Sequence, residues 1–145
     1  MIRFQAGVRV KRPVEEVIAY ISDVDRQTEW SNPVQQSRRE GFGGVARRTR
    51  FRTKVKFLGR TVDGLCEVSD YAANQRIEFS SLNGPMSYRW DVELERIEGG
   101  TVLTSHTEAE PCGLFKLAET VIRGAMKRQA ENDFRTLKAI LEGGN

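Results

Sequence analysis

The stretch that decides the fold runs from Pro111 to Gly143 and reads PCGLFKLAETVIRGAMKRQAENDFRTLKAILEG. Apolar residues recur in it at helical spacing on two successive faces, first Leu114, Leu117, Val121 and Ala125, then Ile122, Met126, Ala130, Leu137 and Leu141. A helix of about 28 residues would be roughly 42 Å long. We therefore predict one long amphipathic helix over residues 113–142, which needs an apolar surface elsewhere in the chain to cover it.

Most of the chain before this segment alternates between apolar and polar residues, which is the pattern of half-buried β-strands. We predict strands over residues 2–10, 34–40, 45–58, 61–71, around Ile77 and Phe79, and over 86–97 and 101–110. Two short helices are expected after the first strand, where apolar residues from Val14 to Ile21 recur at helical spacing. Short turns between consecutive strands require antiparallel pairing. The predicted fold is therefore α+β, a seven-stranded curved antiparallel sheet wrapped around the long C-terminal helix.

The hairpin formed by the third and fourth strands also predicts a register. A two-residue turn at Gly59-Arg60 would bring apolar residues opposite apolar ones and cations opposite anions, as cross-strand pairing prefers. The expected pairs are Phe57–Val62, Thr53–Cys66 and Phe51–Val68 on the inner face, and Lys56–Asp63 and Arg52–Glu67 on the outer face.

Composition places the chain among folded, water-soluble proteins, since 39% of its 145 residues are hydrophobic and 30% are charged. We expect one domain spanning residues 1–145. No apolar run approaches the ~20 residues of a membrane span, and the first residues lack the apolar core of a signal peptide. These features predict a cytoplasmic protein without integral membrane association, in which Cys66 and Cys112 stay reduced.

Cations alternate along the third strand at Arg48, Arg50, Arg52, Lys54 and Lys56. Clustered cations are typical of nucleic-acid or anionic-lipid binding. The alternative is a solvated outer sheet face, neutralised by Asp63 and Glu67 on the next strand. Aromatic residues that stack on bases would have to share the basic face, whereas Phe51 lies on the inner one. The net charge of only +3 also favours the solvated face, so we expect no nucleic-acid partner.

Signatures of catalysis and metal binding are weak in this sequence. His106 is a candidate general base, but alternation places it on the outer face of the last strand, where an exposed histidine has no catalytic requirement. One histidine and two distant cysteines do not match a transition-metal ligand set. We therefore predict no metal and no organic cofactor, and the sequence identifies no catalytic residue.

The inner face of the predicted sheet mixes large apolar side chains with small or hydroxylated ones, and the facing helix contains Ala118, Gly124 and Ala125. A dry core would prefer an uninterrupted set of Val, Ile and Leu. Two interpretations remain, an imperfect core and a mostly apolar cavity with a few hydroxyl groups, which is how small-molecule pockets are built. The candidate ligand-binding residues are Trp30, Phe51, Phe79, Tyr88, Trp90, Thr107, Leu117 and Val121.

Several segments of the chain resemble the START-like, polyketide cyclase/dehydrase and lipid-transport (SRPBCC) superfamily. These are Val8-x-Val10-x-x-Pro13-x-Glu15-x-Val17-x-x-Tyr20-Ile21-Ser22-Asp23 followed by Trp30, then Tyr88-x-Trp90, Glu98-Gly99-Gly100-Thr101 and the terminal helix. The resemblance spans almost the whole chain and implies a helix-grip fold. It also implies a hydrophobic cavity between sheet and helix for lipids, sterols, polyketides or similar apolar ligands. Aromatase/cyclase members use pocket residues that vary between branches, and no such set can be carried over to this chain.

The expected function is binding of a small hydrophobic or amphipathic ligand, such as a lipid or polyketide. The alternative is a polyketide cyclase/aromatase or dehydratase, which would need a titratable pair inside the pocket, most plausibly Tyr88 with a carboxylate. An interaction module with an exposed apolar patch is a third interpretation, and a homodimer is left open. Trp90 is expected to point into the cavity, because a one-residue slip of its strand would bury Arg89, Asp91, Glu93 and Glu95.

Overall fold

The computed structural model describes residues 1–57, 59–84, 86–111 and 113–143, with only the backbone described for Phe57, Leu114 and Phe115. Its elements in chain order are β1 (Ile2–Val10), α1 (Val14–Ser22), a 3-10 turn (Val24–Arg26), α2 (Gln27–Trp30), β2 (Val34–Arg39), β3 (Arg50–Phe57), β4 (Arg60–Ala72), β5 (Arg76–Ser81), β6 (Met86–Ile97), β7 (Gly100–Pro111), a second 3-10 segment (Gly113–Ala118) and α3 (Glu119–Gly143). The expected reduced thiol of Cys112 and the expected strand end at Leu58 lie outside the described residues.

The seven strands form one sheet in the order β1-β7-β6-β5-β4-β3-β2, and every neighbouring pair is antiparallel. Consecutive strands from β2 to β7 are neighbours because short turns join most of them. The first strand instead pairs with the last, with Ile2 opposite Ala109 and Val10 opposite Thr101. With α3 packed against the sheet, this confirms the α+β helix-grip prediction.

The inner face of the sheet carries the apolar half of each alternating strand. On β6, Val92 is fully buried and Leu94 is nearly so, while Arg89 and Glu93 face outward. The helix α1 covers one end of this face with residues spaced three and four apart, which places them on a single stripe. Its buried residues are Val14, Val17, Ile18, Tyr20, Ile21 and Ser22.

The long helix α3 buries Ile122, Phe134 and Leu137 against the sheet. Polar contacts fix its C-terminal end beside β1. The backbone N–H of Lys11 donates to Glu142 Oε2 at 2.8 Å, and Lys138 Nζ donates to the carbonyl of Arg9 at 2.6 Å. Ile122 and Leu137 belong to the second apolar face of the predicted helix, so this face is the one that meets the sheet.

The start of the predicted helix is different in the structure. Residues Gly113–Ala118 form a 3-10 segment, and the α-helix begins only at Glu119. A 3-10 helix advances by three residues per turn instead of 3.6, so the phase of an apolar stripe is not kept across the junction. The first stripe does not continue into the core, and Leu117 and Val121 on it are exposed.

The β3–β4 register predicted from the sequence is wrong by two residues. The structure pairs Phe51 with Cys66 and Thr53 with Gly64, and the turn follows Phe57 and precedes Arg60. Gly59 in this turn has φ of +78°, a conformation that glycine adopts without strain. A shift of two residues changes the partners but leaves each side chain on its predicted face.

The third strand also begins later than predicted, at Arg50 instead of Val45. Arg48 has φ of +76°, which interrupts an extended chain, and the Thr49 N–H closes a turn onto the Ala46 carbonyl at 3.0 Å. Within the described part of the chain, no helix is both long enough and apolar enough to cross a membrane.

Candidate functional site

A cavity of about 410 Å³ lies between the inner face of the sheet and α3. Its size is within the range of about 300–1,000 Å³ typical of small-molecule sites. One wall is aromatic: the Trp30 ring stacks on Phe134 at a centroid distance of 6.2 Å and meets Trp90 edge-on at 6.3 Å. Trp90 in turn stacks on Phe79 at 4.5 Å. These contacts hold two tryptophans rigidly at the cavity surface.

The structure brings four of the sequence-predicted residues to the cavity lining, namely Trp30, Tyr88, Trp90 and Thr107. Two others, Phe51 and Phe79, are each only 2% exposed and form the core behind that lining, in edge-to-face contact at 5.7 Å. The indole of Trp90 faces the cavity, as its position in the alternation of β6 predicted.

Leu117 and Val121 do not lie where the sequence placed them. They are 87% and 74% exposed and are not part of the cavity lining. Their place on the inner side of α3 is taken by Ile122, Met126 and Ala130. Val121 and Ile122 are adjacent in α3, so their side chains point about 100° apart, and the burial of Ile122 leaves Val121 facing solvent. Leu117 lies in the 3-10 segment that precedes α3.

Hydroxyl and thiol groups line the sheet side of the cavity. The Tyr88 hydroxyl and Cys66 Sγ are 3.0 Å apart, and Cys66 has no disulfide partner. Burial raises the pKa of the Cys66 thiol and holds the pKa of Tyr88 well above its ordinary value. Both groups are therefore protonated near neutral pH, so the thiol is not an activated nucleophile.

Asp133, on the helix side, is the buried carboxylate of the cavity and is 7% exposed. Its Oδ1 accepts hydrogen bonds from the backbone N–H of Asn32 at 3.0 Å and from Gln129 Nε2 at 2.8 Å, and its Oδ2 accepts one from Ser31 Oγ at 3.0 Å. Burial raises the pKa of Asp133, although these three hydrogen bonds oppose the shift. The group both fixes α3 to the α2–β2 loop and offers a proton-binding site to the cavity.

Trp30 adds a polar atom to the aromatic wall. The side chain is 4% exposed, and its Nε1–H is buried with no hydrogen-bond partner among the described residues. Leaving a buried donor unpaired costs about 1–3 kcal/mol, and native structures seldom contain one without a reason.

The cavity opens at the end of the molecule that holds the β3–β4 hairpin and the β5–β6 turn. The lining residues that are exposed to solvent mark this mouth, and they are Lys56, Asp63, Asn83, Gly84 and Ala125. Space remains inside the hairpin because Gly64 lies opposite Thr53, where an added Cβ would come within 3.1 Å of the threonine Oγ1.

The outer face of the sheet carries a separate network of charges around Arg76. Its guanidinium lies 2.7 Å from Asp70, 3.1 Å from Glu78 and 2.8 Å from Asp91. His106 Nδ1 lies 2.9 Å from the other oxygen of Asp91. The sequence correctly placed His106 on this face but did not foresee its carboxylate partner, which lies directly opposite in the β6–β7 register.

Asp91, Glu93 and His106 are also the described residues whose ligand atoms come within 4.8 Å of one another and so could hold a metal ion. The guanidinium of Arg76 already pairs with the Asp91 carboxylate, and its positive charge would repel a cation at this position. The arrangement therefore works as an ion-pair network as it stands.

Two cations of the basic strand β3 form ion pairs with carboxylates, one on β4 and one directly after β2. Arg50 pairs with Glu67 at 3.5 Å and Arg52 with Glu40 at 3.0 Å. These contacts match a solvated outer face, although the predicted partner of Glu67 was Arg52.

Sequence reasoning did not identify Asp133, Gln129 or Ser31 as part of the site. Gln129 and Asp133 are four residues apart on α3, a spacing that signals a shared helix face. The contact to Ser31 joins residues that are 102 positions apart, and no local sequence pattern predicts it.

A family model described as polyketide cyclase / dehydrase and lipid transport matches residues 1–142. A search of curated protein sequences found no match.

Among solved structures, the chain is similar to the protein TTHA0849 from Thermus thermophilus, with 19% identity, a TM-score of 0.84 and 99% of each chain covered. It is also similar to a START superfamily protein from Mycobacterium smegmatis, at 14% identity and a TM-score of 0.82 over 100% of each chain. The Zhui aromatase/cyclase from Streptomyces sp. R1128 matches at 15% identity and a TM-score of 0.78, over 97% of this chain and 93% of that one. At these identities the likeness concerns the fold.

Proposed function

The chain belongs to the polyketide cyclase / dehydrase and lipid transport family, and from this premise we propose that it binds a small hydrophobic or amphipathic ligand in the cavity between sheet and α3. The observation that carries the proposal is the cavity itself, about 410 Å³ in volume and bounded by Trp30, Trp90 and Phe134. Burial of apolar ligand surface there would supply binding free energy of about 25 cal/mol per Å². A lipid, a polyketide or a similar molecule fits this description.

The polar groups of the cavity favour an amphipathic ligand over a pure hydrocarbon. The sheet side presents protonated Tyr88 and Cys66, and the helix side presents Asp133. The unpaired indole N–H of Trp30 favours a ligand that bears a hydrogen-bond acceptor, such as a carbonyl oxygen. A water molecule bound together with the ligand could accept this hydrogen bond instead. A ligand with an apolar body and oxygen atoms at both sides would use all these groups.

A cyclase/aromatase or dehydratase remains the second candidate, and Asp133 is the observation that favours it. The carboxylate lines the cavity, and its raised pKa brings it nearer to the range in which a general acid or base is useful. Tyr88 itself has the Cys66 thiol as its partner instead of the carboxylate that the sequence suggested. In this candidate mechanism Asp133 would move a proton while Tyr88, as a neutral donor, would stabilise an enolate oxygen.

We propose further that the protein acts in the cytoplasm as one domain and has no nucleic-acid partner. The pairing of Arg50 and Arg52 with carboxylates supports the last point, because phosphate binding draws on unpaired cations. Nucleic-acid binding that weakens steeply with salt would contradict it.

The direct test is native mass spectrometry of the protein purified from its own host. We expect an added mass of one small organic molecule that solvent extraction releases and that an Ala130→Phe variant, with the cavity narrowed, does not retain. Ala139→Phe on the exposed face of α3 is the control and should retain it. Ligand-free protein in all three samples, together with no uptake of added lipids or polyketides, would contradict the proposal. Turnover of an added polyketide that stops in Asp133→Asn would favour the second candidate.

A further inference from the structure

One end of the cavity is closed by two pairs of neighbouring residues, one pair where α2 ends and the other on α3. The Trp30 ring stacks on Phe134 at a centroid distance of 6.2 Å, and the next residue, Ser31, donates a hydrogen bond to Asp133 Oδ2 at 3.0 Å. None of these four residues, which form the closed end, is more than 7% exposed. The Trp30 indole and the Asp133 carboxylate therefore lie side by side, and both belong to the cavity lining.

The closed end lies far from the mouth of the cavity. Ala125 belongs to the exposed lining at the mouth, and Asp133 follows it by eight residues on the same helix. The carboxylate is therefore roughly 12 Å farther along the helix axis. Among the described lining residues, Lys56 at the mouth is the only cation. A ligand group at the closed end therefore meets no cation of the cavity lining.

Asp133 can accept one more hydrogen bond than the protein supplies. A carboxylate has about four lone-pair sites on its two oxygens. Oδ1 of Asp133 already accepts two hydrogen bonds, from the backbone N–H of Asn32 and from Gln129 Nε2. Oδ2 accepts one, from Ser31 Oγ, and no other residue in the described part of the chain donates to it. One acceptor position on Oδ2 is therefore left for a ligand.

Trp30 supplies the complementary group at the same end. Its Nε1–H is buried and has no hydrogen-bond acceptor among the described residues. An unpaired buried donor costs free energy in the folded state, and a ligand oxygen that accepts from it would remove that cost. The closed end therefore offers a ligand one hydrogen-bond donor and one acceptor.

A hydroxyl group is the ligand group that matches this pair. Its oxygen can accept from the Trp30 indole while its proton is donated to Asp133 Oδ2. A ketone or an ether can only accept, so it leaves the position on the carboxylate unfilled. An ionised carboxylate would lie beside Asp133 with no cation of the lining to offset the repulsion. A protonated amine could donate to Asp133 but could not accept from Trp30.

We propose that the closed end is a hydroxyl-binding subsite, in which Trp30 Nε1 donates to the ligand oxygen and Asp133 Oδ2 accepts from the ligand O–H. The ligand class is then narrowed to uncharged molecules with an apolar body and a terminal hydroxyl group, such as phenols, enols and alcohols. The hydroxyl enters first, and an anionic group on a ligand stays at the mouth beside Lys56. This assignment rests on the proposed function, because a ligand must enter the cavity.

The test uses probes that share one two-ring skeleton, namely naphthalene, β-naphthol, β-naphthyl methyl ether and β-naphthoate. In calorimetric titrations of wild type at neutral pH, we expect β-naphthol to bind about tenfold or more tightly than its methyl ether, which cannot donate to Asp133. β-Naphthoate should also bind more weakly than β-naphthol. In Asp133→Asn an amide NH₂ group takes the place of Oδ2, so the preference for β-naphthol over the ether should be lost. Comparing this preference between variants cancels the free energy of removing each probe from water.

Two further variants separate the donor from the rest of the lining. Trp30→Phe keeps a stacked ring but removes the N–H, so β-naphthol and its ether should each bind about three- to tenfold more weakly, whereas naphthalene should not. Tyr88→Phe is the matched control, since it also removes one polar group from the lining but on the sheet side. It should leave the preference for β-naphthol over the ether unchanged.

Nuclear magnetic resonance gives a readout that does not depend on affinity. The chain has two tryptophans, so the indole N–H resonance that is missing from Trp30→Phe belongs to Trp30. This resonance should move farther downfield when β-naphthol binds than when naphthalene binds, because only β-naphthol has an oxygen that accepts from it.

The results that would overturn the subsite differ from those that would overturn the proposed function. Binding of naphthalene without a preference for β-naphthol over its ether, or a preference that survives in Asp133→Asn, would overturn the subsite and leave a ligand-binding cavity. A preference lost in Tyr88→Phe instead would place the hydroxyl beside Tyr88 and also overturn it. Failure of every probe to bind folded wild type would contradict the subsite and the proposed function together.

Melting curves establish that each variant is folded. If Trp30→Phe does not fold, Trp90→Phe assigns the two indole resonances by removing the other one, and the comparison of wild type with Asp133→Asn decides the question. That comparison needs no change in the aromatic wall, because the amide oxygen of Asn can still accept from Asn32 and Gln129.

Discussion

Asp133 connects the cavity to the fold through three hydrogen bonds, and its titration should be visible in stability. Burial raises its pKa above the ordinary value of 3.8. The folded state therefore favours the protonated carboxyl, whose contribution to the free energy of unfolding is complete below that ordinary pKa. The contribution is lost as the pH rises through the higher folded-state pKa.

Asp133→Asn removes this titration while keeping an oxygen that accepts from Asn32 and Gln129. We expect the variant to gain stability relative to wild type as the pH is raised from about 3.5 to 7, because the amide stays neutral. Denaturant melts of both proteins at several pH values measure the difference. A difference in free energy of unfolding that does not change with pH would contradict a raised pKa in the folded state.

Trp90 and Phe79 stack on each other but should respond differently to truncation. Phe79 is 2% exposed inside the core, so Phe79→Ala should cost about 3–5 kcal/mol of stability. Trp90 borders the cavity, where it already lacks packing partners on one side, so Trp90→Ala should cost less, about 1–3 kcal/mol. Probe binding should nevertheless fall mainly in Trp90→Ala. Equal stability losses with no probe binding by wild type would indicate a filled core.

At the same scale, alternation predicted which side chains face inward but not how deep each lies. Tyr88, Trp90 and Thr107 were placed at the cavity because their strands alternate clearly. Asp133 was missed, since a carboxylate on a helix ordinarily indicates the solvent face. Its burial is tolerable because Ser31, Asn32 and Gln129 donate hydrogen bonds to the carboxylate, and the contacts to Ser31 and Asn32 form only on folding.

Among the elements, the β3–β4 hairpin gives the most direct test of register. Glu67 lies opposite Arg50 and 3.5 Å from its Nε. A double-mutant cycle with Arg50→Ala and Glu67→Ala should give a coupling of about 0.2–1 kcal/mol that declines with salt. The matched cycle that combines Arg52→Ala with Glu67→Ala should give almost no coupling energy, because Arg52 pairs with Glu40. A larger coupling energy for Arg52 with Glu67 than for Arg50 with Glu67 would support the register expected from sequence instead.

The hairpin also shows why the strand register is harder to predict than the sheet face on which each side chain lies. A slip of two residues exchanges Phe51–Val68 for Phe51–Cys66 and Arg52–Glu67 for Arg50–Glu67, pairs of nearly equal quality. The choice depends on the turn, where Gly59 adopts positive φ as the second residue instead of the first.

The long helix illustrates a different limit on what can be predicted from sequence. Its sequence contains two apolar stripes, and both satisfy helical spacing equally well. Residues of both stripes lie within α3, and the stripe that meets the sheet is the one whose Ile122 and Leu137 pack in the core. Apolar periodicity alone contains no information about these tertiary contacts.

For the whole molecule, sheet and helix enclose a cavity whose aromatic wall holds both tryptophans of the chain. Intrinsic fluorescence therefore reports on the site with no other tryptophan contributing. A ligand that enters should quench or shift the emission of Trp30 and Trp90 together, and one that binds elsewhere should not.

The most direct measurement is the titration of wild type, Ala130→Phe and Ala139→Phe with a polyene fatty acid whose absorbance overlaps tryptophan emission. We predict saturable energy transfer from Trp30 and Trp90 in wild type and Ala139→Phe, and at least about tenfold weaker binding in Ala130→Phe, whose added ring occupies the cavity. Melting curves establish that each variant is folded. No saturable transfer in wild type, or equal affinity in the two folded variants, would contradict a ligand-binding cavity between the sheet and α3.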